Sequence, residues 1–516
     1  MKKAVGKQKK HEKSKRILFF VLGMLCVLAA IYQKSHMAEK MKTTLIFSAL
    51  SGSAERFFYS FSGQAETKAE EHEIEEKASA PGKSAGIEKK LRVLIKTEDF
   101  RSLFHSKLCF TSDTPYIVSV DKKETEYAAG KRITFLAKNL KKSNEIWIYP
   151  KEKGRIKLLS LKRKGRNPSY RGKFQVQKRE EGLTVVNELS LEQYLYAVLP
   201  SEMSTSSPIE ALKAQAVCAR TYAYNQLKAS RYDKYDAMLD DSDACQVYNN
   251  FPEDKRSRKA VEETRGIVVQ KNGKTVPVYY YSTSWGYTAS GREVWNTAKE
   301  IPHLQGKAQW IKSGDNPWGE LSKEEDFEAF LKNSTKKTYD SSSPWYRWQI
   351  SCEWKSLRKK LSVALISCHQ ESRNLVLQRA KGQKDFVSVE NLAPGEILGI
   401  SVGRREKSGL VTELVFHGKK ADIKVRTQYL VRKALSPACR RVLYGNGKSH
   451  TGLSILPSAA FYFEKSGKKF LICGGGFGHG TGMSQWGAKT QAESGFDYKA
   501  ILKHYFQGVF LGTVAE

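Results

Sequence analysis

The stretch from Leu199 to Tyr224, LPSEMSTSSPIEALKAQAVCARTYAY, constrains the fold more than any other part of the chain. Ser207 can act as a helix N-cap, Pro208 fits the first helical position, and Glu210 completes a capping box. An apolar stripe follows at helical spacing: Ile209, Leu212, Ala216, Ala219 and Ala223. Because most of these residues are alanine, we predict that another element packs closely against this helix.

The neighbouring face of the predicted helix carries Lys213, Arg220 and Tyr224, and Glu202 precedes the helix on a predicted short turn. A cationic and aromatic face beside a single carboxylic acid is unusual for a core helix. Glu202 therefore has two interpretations, a catalytic acid or a helix cap. Lys213 and Arg220 can either bind a substrate or form ion pairs on the helix face.

The formal net charge of +33 indicates an anionic partner or environment. Nucleic acid, anionic lipid and an acidic cell-wall polymer all fit such a charge. The sequence has no helix-turn-helix, zinc-finger or RNA-binding signature, so we predict that nucleic acid is not the partner.

The N-terminus predicts a membrane anchor. Residues 1–16 are densely basic and residues 17–32 are apolar without a charge. A signal peptide also fits, but no clear small-residue cleavage site follows, which favours an uncleaved anchor. We expect residues 1–16 in the cytoplasm, a single transmembrane helix at 17–32, a charged stalk at 33–90 and the remainder outside the cell.

The remaining chain predicts an α+β fold, a β-rich body in which a few short helices form a substrate cleft. Short strand-like runs separated by turn residues fill residues 91–181. We expect the catalytic part at 182–516, with a short helix at 191–198 and a β-hairpin at 266–282 around Asn272-Gly273.

A loop dense in hydroxyls and aromatic rings, STSWGYTA, begins at Ser282. Such loops occur in carbohydrate sites, where aromatic faces stack on sugars and hydroxyls bond to their edges. They also occur in ordinary turns, so this loop alone does not decide the function.

The segment CGGGFGHGTGMSQ, which begins at Cys473, combines six glycines with His479, Ser484 and Gln485. Glycines let the backbone turn sharply and approach a neighbour closely. No Lys-Ser/Thr pair follows them, so this is not a phosphate loop. The segment favours a functional site over simple tight packing, and we expect helices to start at Ser484 and at Asp497.

The sequence does not predict a metal or another cofactor. Asp240, Asp241 and Asp243 could suggest calcium, but the central glycine and the terminal glutamate of a calcium loop are absent. The eight cysteines contain no C-x-x-C pair, and their disulfide pairing cannot be read from the sequence.

Five segments in this order resemble the stage II sporulation protein D family, which includes the amidase-enhancer proteins. They read PSEM…SPIEALKAQAVCARTYAY, CQVY, YYSTSWGYTASGREVW, SPWYRW and GGFGHGTGMSQWGAKTQAESGFDYKAILKHYF. The resemblance covers roughly residues 91–516. It implies a membrane-anchored lytic transglycosylase of peptidoglycan. Such an enzyme thins the septal wall during engulfment. Its partners are an amidase, which first strips the stem peptides, and other engulfment proteins.

The resemblance also implies site residues. Glu202 matches the family's catalytic glutamate, and the substrate-binding positions match Lys213, Gln215, Arg220, Tyr222, Ser284, His479, Ser484 and Gln485. Some family members bind zinc beside the CQVY motif. Here Cys245 is present, but Leu239 and Ala244 stand where its partners are expected, so we predict no zinc. Trp285 replaces a usually small residue and is expected to alter substrate fit.

The chemistry inferred from the residues agrees with this resemblance. Glycoside hydrolysis ordinarily needs two carboxylates, and the strongest segments offer only Glu202. A lytic transglycosylase needs one acid, provided that its pKa is raised so that it starts protonated. A following helix N-terminus and Arg220 would lower that pKa, so burial must outweigh both.

Three functions follow from these observations. The leading one is cleavage of the bond between N-acetylmuramic acid and N-acetylglucosamine, preferably in peptide-stripped strands, with a 1,6-anhydro product. The second is a glycan-binding module that stimulates a wall amidase without cleaving anything. The third is a basic scaffold in the wall, which would need neither Glu202 nor the glycine-rich segment.

Overall fold

The computed structural model describes residues 90–142, 144–227, 231–248, 251–311, 317–333, 337–466 and 469–514. These residues belong to one compact unit. They form a β-rich α+β fold with several short helices, which confirms that part of the prediction. No helix within these ranges is long and apolar enough to cross a bilayer. The predicted basic segment and membrane helix, and the stalk up to residue 89, lie outside them.

A seven-stranded sheet organises the N-terminal part of the body. Its spatial order is β11 (Leu239–Asp240), β1 (Lys90–Leu94), β10 (Leu183–Ser190), β9 (Lys173–Lys178), β6 (Ile146–Pro150), β3 (Tyr116–Val120) and β4 (Lys123–Tyr127). Neighbouring strands are antiparallel except β11, which runs parallel to β1. Because β10 belongs to this sheet, the predicted division at residue 181 does not coincide with a break in strand pairing.

A second, four-stranded sheet shares the apolar core of the first. It contains β5 (Ile133–Leu136), β2 (Lys107–Ser112), β7 (Ile156–Leu158) and β8 (Ser169–Tyr170) in that spatial order.

The C-terminal half has its own large core, which two further sheets enclose. One has the order β21 (Ser449–Thr451), β20 (Arg441–Tyr444), β15 (Trp348–Glu353), β23 (Lys469–Gly474) and β22 (Phe461–Ser466). The other has the order β16 (Val376–Ala380), β19 (Ala421–Arg426), β18 (Val411–Gly418) and β17 (Ile397–Arg405).

Two small sheets connect distant parts of the chain. A three-stranded sheet contains β13 (Lys274–Thr275), β12 (Ile267–Lys271) and β25 (Phe510–Thr513). The other pairs β14 (Tyr280–Tyr281) in parallel with β24 (Met483–Ser484). This second pairing brings the hydroxyl-rich loop and the glycine-rich segment together, although they are far apart in sequence.

The described residues contain nine α-helices. They are α1 (Leu191–Glu202), α2 (Ile209–Gln226), α3 (Lys255–Glu263), α4 (Gly291–Trp295), α5 (Glu324–Lys332), α6 (Trp354–Glu371), α7 (Gln428–Ala434), α8 (Gln485–Glu493) and α9 (Tyr498–Tyr505). The predicted helix starts after the glycines are confirmed, because Ser484 and Asp497 cap α8 and α9 with their side chains.

Helix α2 is the predicted amphipathic helix, but the prediction of a capping box at its start is wrong. Pro208 occupies the N-cap and has no side chain that can accept a hydrogen bond. Glu210 bonds instead to Lys213 and to the Tyr498 N–H, so it has no role in capping Ser207. The apolar stripe is confirmed, since its members face the N-terminal core: Ile209, Leu212, Ala216, Ala219 and Ala223.

Glu202 was predicted to lie on a separate short turn, but it is the last residue of α1. The helix begins at a Ser190 cap that accepts from the Gln193 N–H. It continues past the predicted end at residue 198, through Pro200 in its last turn. Pro200 has no N–H for the Tyr196 carbonyl, but it is tolerated there because the helix stops two residues later.

The predicted hairpin exists only in its first part. Strands β12 and β13 flank Asn272 and Gly273, whose φ angles of 51° and 70° suit a tight hairpin turn. Beyond Val276 the chain leaves this pairing, and β14 pairs with β24. The long second arm was therefore a wrong prediction.

Candidate active site

A cavity of about 320 Å³ opens beside Glu202. The end of α1, the loop after β11, strand β14 and the glycine-rich segment contribute to its wall. Aromatic side chains dominate this wall: Tyr222, Tyr279, Tyr280, Tyr281, Trp295 and Phe477. Sugar-binding sites have this kind of lining, because the apolar faces of pyranose rings stack on aromatic rings.

Glu202 is held by the loop that contains the CQVY motif. The Val247 backbone N–H donates to Glu202 Oε1 at 2.7 Å, and the Tyr280 hydroxyl donates a second hydrogen bond to the carboxyl group. Gln246 Nε2 in turn donates to the Tyr280 hydroxyl oxygen at 2.9 Å. That bond leaves the Tyr280 hydrogen free to point at Glu202.

Burial raises the pKa of Glu202 to about 7, and the two hydrogen bonds only partly offset it. The negative charge of Asp243, which lines the same cavity, raises the pKa further. The negative end of the α1 dipole acts in the same direction, because Glu202 lies at the C-terminus of that helix. The carboxyl group therefore carries a proton over much of the neutral range.

Arg220, which was expected to lower this pKa, lies elsewhere. Its side chain is fully buried, and its Nε and Nη2 donate to Glu192 at 2.6 Å and 2.8 Å. It also donates to the Val261 and Ile267 carbonyls. The guanidinium thus ties α2 to α1 and does not line the cavity.

Lys213 also lies outside the cavity wall, in ion pairs with Glu210 at 2.8 Å and Glu263 at 2.9 Å. Of the two alternatives that the sequence leaves open for Lys213 and Arg220, the structure favours ion pairs. Gln215 is buried behind the wall and accepts a weak bond from Gln485 Nε2 at 3.4 Å. Gln485 and Tyr222 themselves line the cavity.

His479 lines the cavity as a neutral ring. The Thr481 N–H donates to Nδ1 at 3.2 Å, so Nε2 carries the hydrogen and donates to the Tyr280 carbonyl at 3.1 Å. Burial lowers the pKa of His479 to about 4. The ring packs against Tyr281 and Trp295 with centroids 5.5 Å apart in each case. It therefore supports the aromatic wall and does not act as a charged acid.

Two glycines beside His479 allow this close packing. Gly480 has φ +91°, and a Cβ there would lie 2.5 Å from the Trp285 ring. Gly482 has φ +79°, and a Cβ would lie 2.1 Å from the Tyr279 carbonyl oxygen. The close approach that the glycines were expected to permit is to the protein's own interior.

Trp285 is fully buried beneath this segment and donates from Nε1 to the Ser408 carbonyl at 2.8 Å. It does not line the cavity, and its effect on substrate fit stays a prediction. A large aromatic residue fits here because Gly480 leaves room for its ring.

Ser284 and Ser484 meet at Asp340 and not at the cavity. The Ser284 N–H and Oγ donate to Asp340 at 2.9 Å and 2.8 Å, and Ser484 Oγ donates to it as well. The Gly487 N–H adds a fourth donor. This fully buried cluster joins the hydroxyl-rich loop to the start of α8. Asp340 had no signal in the sequence, since it lies in a polar stretch without a motif.

The acidic loop after β11 is bound to protein groups. Asp240 accepts from Tyr232 and Ser242, whereas Asp241 accepts from Arg163 Nη2 at 2.5 Å and the Lys96 N–H. These contacts position the loop that carries Val247. Among the described residues no cluster of three or more His, Cys, Asp or Glu side chains could hold a metal ion.

Cys245 lines the cavity, and burial raises the pKa of its thiol to about 12, so the thiol stays protonated. Sequence reasoning gave no role to Val247, Tyr280 or Arg231 and considered Asp243 only as a calcium ligand, although all four line the cavity. The CQVY motif was the available signal for Val247.

Comparison with known proteins adds a family assignment to this geometry. A family model described as Stage II sporulation protein matches residues 179–270, which include α1, α2 and the CQVY loop. The Amidase enhancer of Bacillus subtilis is 31% identical over 319 residues, which are 61% of this chain and 40% of that protein. The chain thus matches less than half the length of this relative.

Two further relatives match over more of their length. Stage II sporulation protein D of Bacillus amyloliquefaciens is 28% identical over 339 residues, 63% of this chain and 74% of that protein. An uncharacterized protein of Brachyspira hyodysenteriae is 30% identical over 330 residues, 63% of this chain and 68% of that protein. The match of the family model includes Glu202 and Val247 but ends before Tyr280 and His479.

Proposed function

Because the chain belongs to the stage II sporulation protein D family, we propose that it acts on the bacterial cell wall during sporulation. The reaction that we infer is lytic transglycosylation of peptidoglycan. It breaks the bond between C1 of N-acetylmuramic acid and the glycosidic oxygen that joins it to N-acetylglucosamine. The product is a 1,6-anhydro sugar.

One observation carries this proposal: Glu202, whose pKa is raised to about 7, faces an aromatic cavity that can hold a sugar. In the first step Glu202 donates its proton to the glycosidic oxygen as the C1–O bond breaks. Because the Val247 N–H occupies Oε1, the transferred proton sits on Oε2. The positive charge that develops at C1 is stabilised by the carboxylate that remains.

In the second step the Glu202 carboxylate accepts the proton of the same sugar's C6 hydroxyl. The C6 oxygen then forms a bond to C1, which closes the anhydro ring and restores protonated Glu202. No water or second carboxylate is consumed. The same group acts first as acid and then as base, which suits a pKa close to neutrality.

The test is product analysis with the full chain and purified glycan strands, with and without stem peptides. We expect 1,6-anhydro ends by mass spectrometry, preferentially from peptide-free strands. Glu202→Gln should reduce their formation by about 10²- to 10⁴-fold, since it removes the proton that Glu202 donates. Glu493→Gln, the same change at an exposed position on α8, is the matched control.

Two outcomes would contradict the reaction. New reducing ends in place of anhydro ends would indicate hydrolysis, with Asp243 as the second carboxylate in the cavity. Anhydro ends that persist undiminished in Glu202→Gln would remove Glu202 from the mechanism.

A second candidate is a non-catalytic glycan-binding protein that stimulates a wall amidase. The relative named Amidase enhancer favours it. This alternative predicts that amidase release of stem peptides accelerates in the presence of the chain. It also predicts equal acceleration by Glu202→Gln, whereas a glycan-cleaving enzyme would lose the effect together with its anhydro products.

We further propose that residues 17–32 anchor the protein in the cell membrane with the folded body outside. The basic residues 1–16 and the uncharged apolar run support this orientation. A wall amidase and other engulfment proteins are the proposed partners there. Protease added to intact protoplasts should remove the body, and protection of the body from protease would contradict this orientation.

A further inference from the structure

The ionisable side chains that line the cavity are unequal in charge. Glu202 and Asp243 are acids, His479 is held neutral, and the Cys245 thiol is protonated. Arg231 is the one cation among the described residues of the cavity wall. A polysaccharide that bears an anionic group would therefore meet a single positive charge here.

Arg231 differs from the buried arginines of the same protein in its partners. Arg220 pairs with Glu192, and Arg163 pairs with Asp241. No carboxylate of a described residue forms an ion pair with Arg231. Its guanidinium lies over the Tyr232 ring, 5.0 Å from the centroid, and its Nη1 is 3.9 Å from the Cys245 sulfur. These weak contacts leave most of its donors without a partner among the described residues.

A guanidinium in this situation is suited to bind a carboxylate. Its planar fork matches the two oxygens of that group, and ring stacking fixes its orientation. N-acetylmuramic acid carries a lactyl ether on the ring whose C1–O bond is broken. The lactyl carboxyl group is an anion only when no stem peptide is attached, because the peptide converts it to a neutral amide.

We propose that Arg231 binds the free lactyl carboxylate of N-acetylmuramic acid and is thereby the residue that selects peptide-free strands. This assignment rests on the proposed function, since it concerns the same cavity. Arg231 is a specificity residue, and it takes no part in the proton transfers of Glu202.

The test measures binding by the full chain with the Glu202→Gln substitution, which is expected to slow cleavage enough for binding to be measured. Calorimetry compares peptide-free strands with the same strands after the lactyl carboxylates are converted to methylamides. We expect about tenfold or tighter binding of the free acid, the usual contribution of hydrogen bonds to a charged group. Adding Arg231→Gln should abolish this preference, because it weakens binding of the free acid more than binding of the methylamide.

Lys234→Gln, which removes a charge three residues away on the exposed surface, is the control and should keep the preference. Arg231→Lys retains the positive charge without the planar guanidinium, and this variant should keep part of the preference for the free acid. If Arg231→Gln does not give a folded protein by its thermal melt, the lysine variant provides the comparison. The assignment would be overturned if Arg231→Gln or Arg231→Lys kept the full preference for the free acid. It would also be overturned if the protein with Arg231 intact showed no such preference.

The binding test of Arg231 and the product test of the transglycosylase reaction can fail independently of each other. Carboxylate-dependent binding without anhydro products would leave Arg231 assigned and remove the transglycosylase. Equal cleavage and binding of both strand types would leave the enzyme and remove the role of Arg231.

Discussion

Glu202 and Asp340 are two enclosed carboxyl groups that differ in how many hydrogen bonds they accept and in whether they reach the cavity. Burial is the main cause of a raised pKa in both, to about 7 for Glu202 and about 6 for Asp340. Asp340 accepts four hydrogen bonds from Ser284, Ser484 and Gly487. Glu202 has one backbone donor and the Tyr280 hydroxyl, and it opens on the cavity.

The difference separates a group that holds the fold together from one that is available for chemistry. The four donors around Asp340 fix both of its oxygens and join two distant segments of the chain. Glu202 is less well solvated, so it retains its proton to higher pH and can give it to a bound molecule. Four predictions test this contrast, from the largest expected effect to the smallest.

Asp340→Ala should lower the free energy of unfolding by about 4 kcal/mol. The substitution leaves the Ser284 N–H buried without an acceptor, at about 1–3 kcal/mol. It also removes the acceptor of the Ser284 and Ser484 hydroxyls and adds a small cavity. Urea unfolding at pH 7 measures the loss. Asp340→Asn keeps the shape and one acceptor oxygen and should lose less. Equal stability of Asp340→Ala and the parent would show that the cluster does not join the two segments.

Glu202→Gln should have the opposite sign and raise the free energy of unfolding at pH 8 by up to about 3 kcal/mol. The folded-state pKa of about 7 lies above the ordinary value of 4.5, so the folded state binds the proton more tightly. The stability that protonated Glu202 contributes is therefore fully present below pH 4.5 and is lost as pH rises to about 7. Glutamine keeps the acceptor for Val247 without a charge.

Unfolding by urea at pH 4 and at pH 8 checks this sign. The two proteins should differ least at pH 4, where Glu202 is protonated in both the folded and unfolded states. A Glu202→Gln variant that is less stable than the parent at pH 8 would place Glu202 with Asp340, as a structural acceptor.

The rate of glycan cleavage should fall above pH about 7, by about tenfold for each further pH unit, because only protonated Glu202 can act as the acid. Initial rates of anhydro-end formation between pH 5 and pH 9 measure this limb. His479 should have no influence on it, since its pKa of about 4 keeps the ring neutral throughout. A rate that rises above pH 7 would mean that Glu202 acts as a base from the start.

Sequence patterns predicted the secondary structure around the site better than its contacts. The alanine-rich stripe of α2 and the capped starts of α8 and α9 follow from local periodicity and capping chemistry. The roles of Arg220 and Ser284 could not be predicted in this way. Their partners Glu192 and Asp340 lie 28 and 56 residues away, and only tertiary folding brings them together.

The protonation of Glu202 shows the same limit. The sequence placed this residue before a helix N-terminus and near Arg220, both of which would lower its pKa. The structure places it at a helix C-terminus, with Arg220 neutralised by Glu192. A short continuation of α1 past Pro200 therefore reverses the sign of the electrostatic argument, and no local pattern predicts that continuation.

Asp243→Asn should give the smallest effect and sharpen the contrast further. Asp243 lines the cavity, and its charge raises the pKa of Glu202 after burial has made the larger contribution. Removing that charge should move the descending limb of the pH–rate profile to lower pH and reduce cleavage at pH 8 by about threefold. The rate below pH 6 should stay unchanged, because Glu202 is protonated there in both proteins. A loss of activity at every pH would instead identify Asp243 as a second catalytic carboxylate, and Glu202 would no longer account for the chemistry alone.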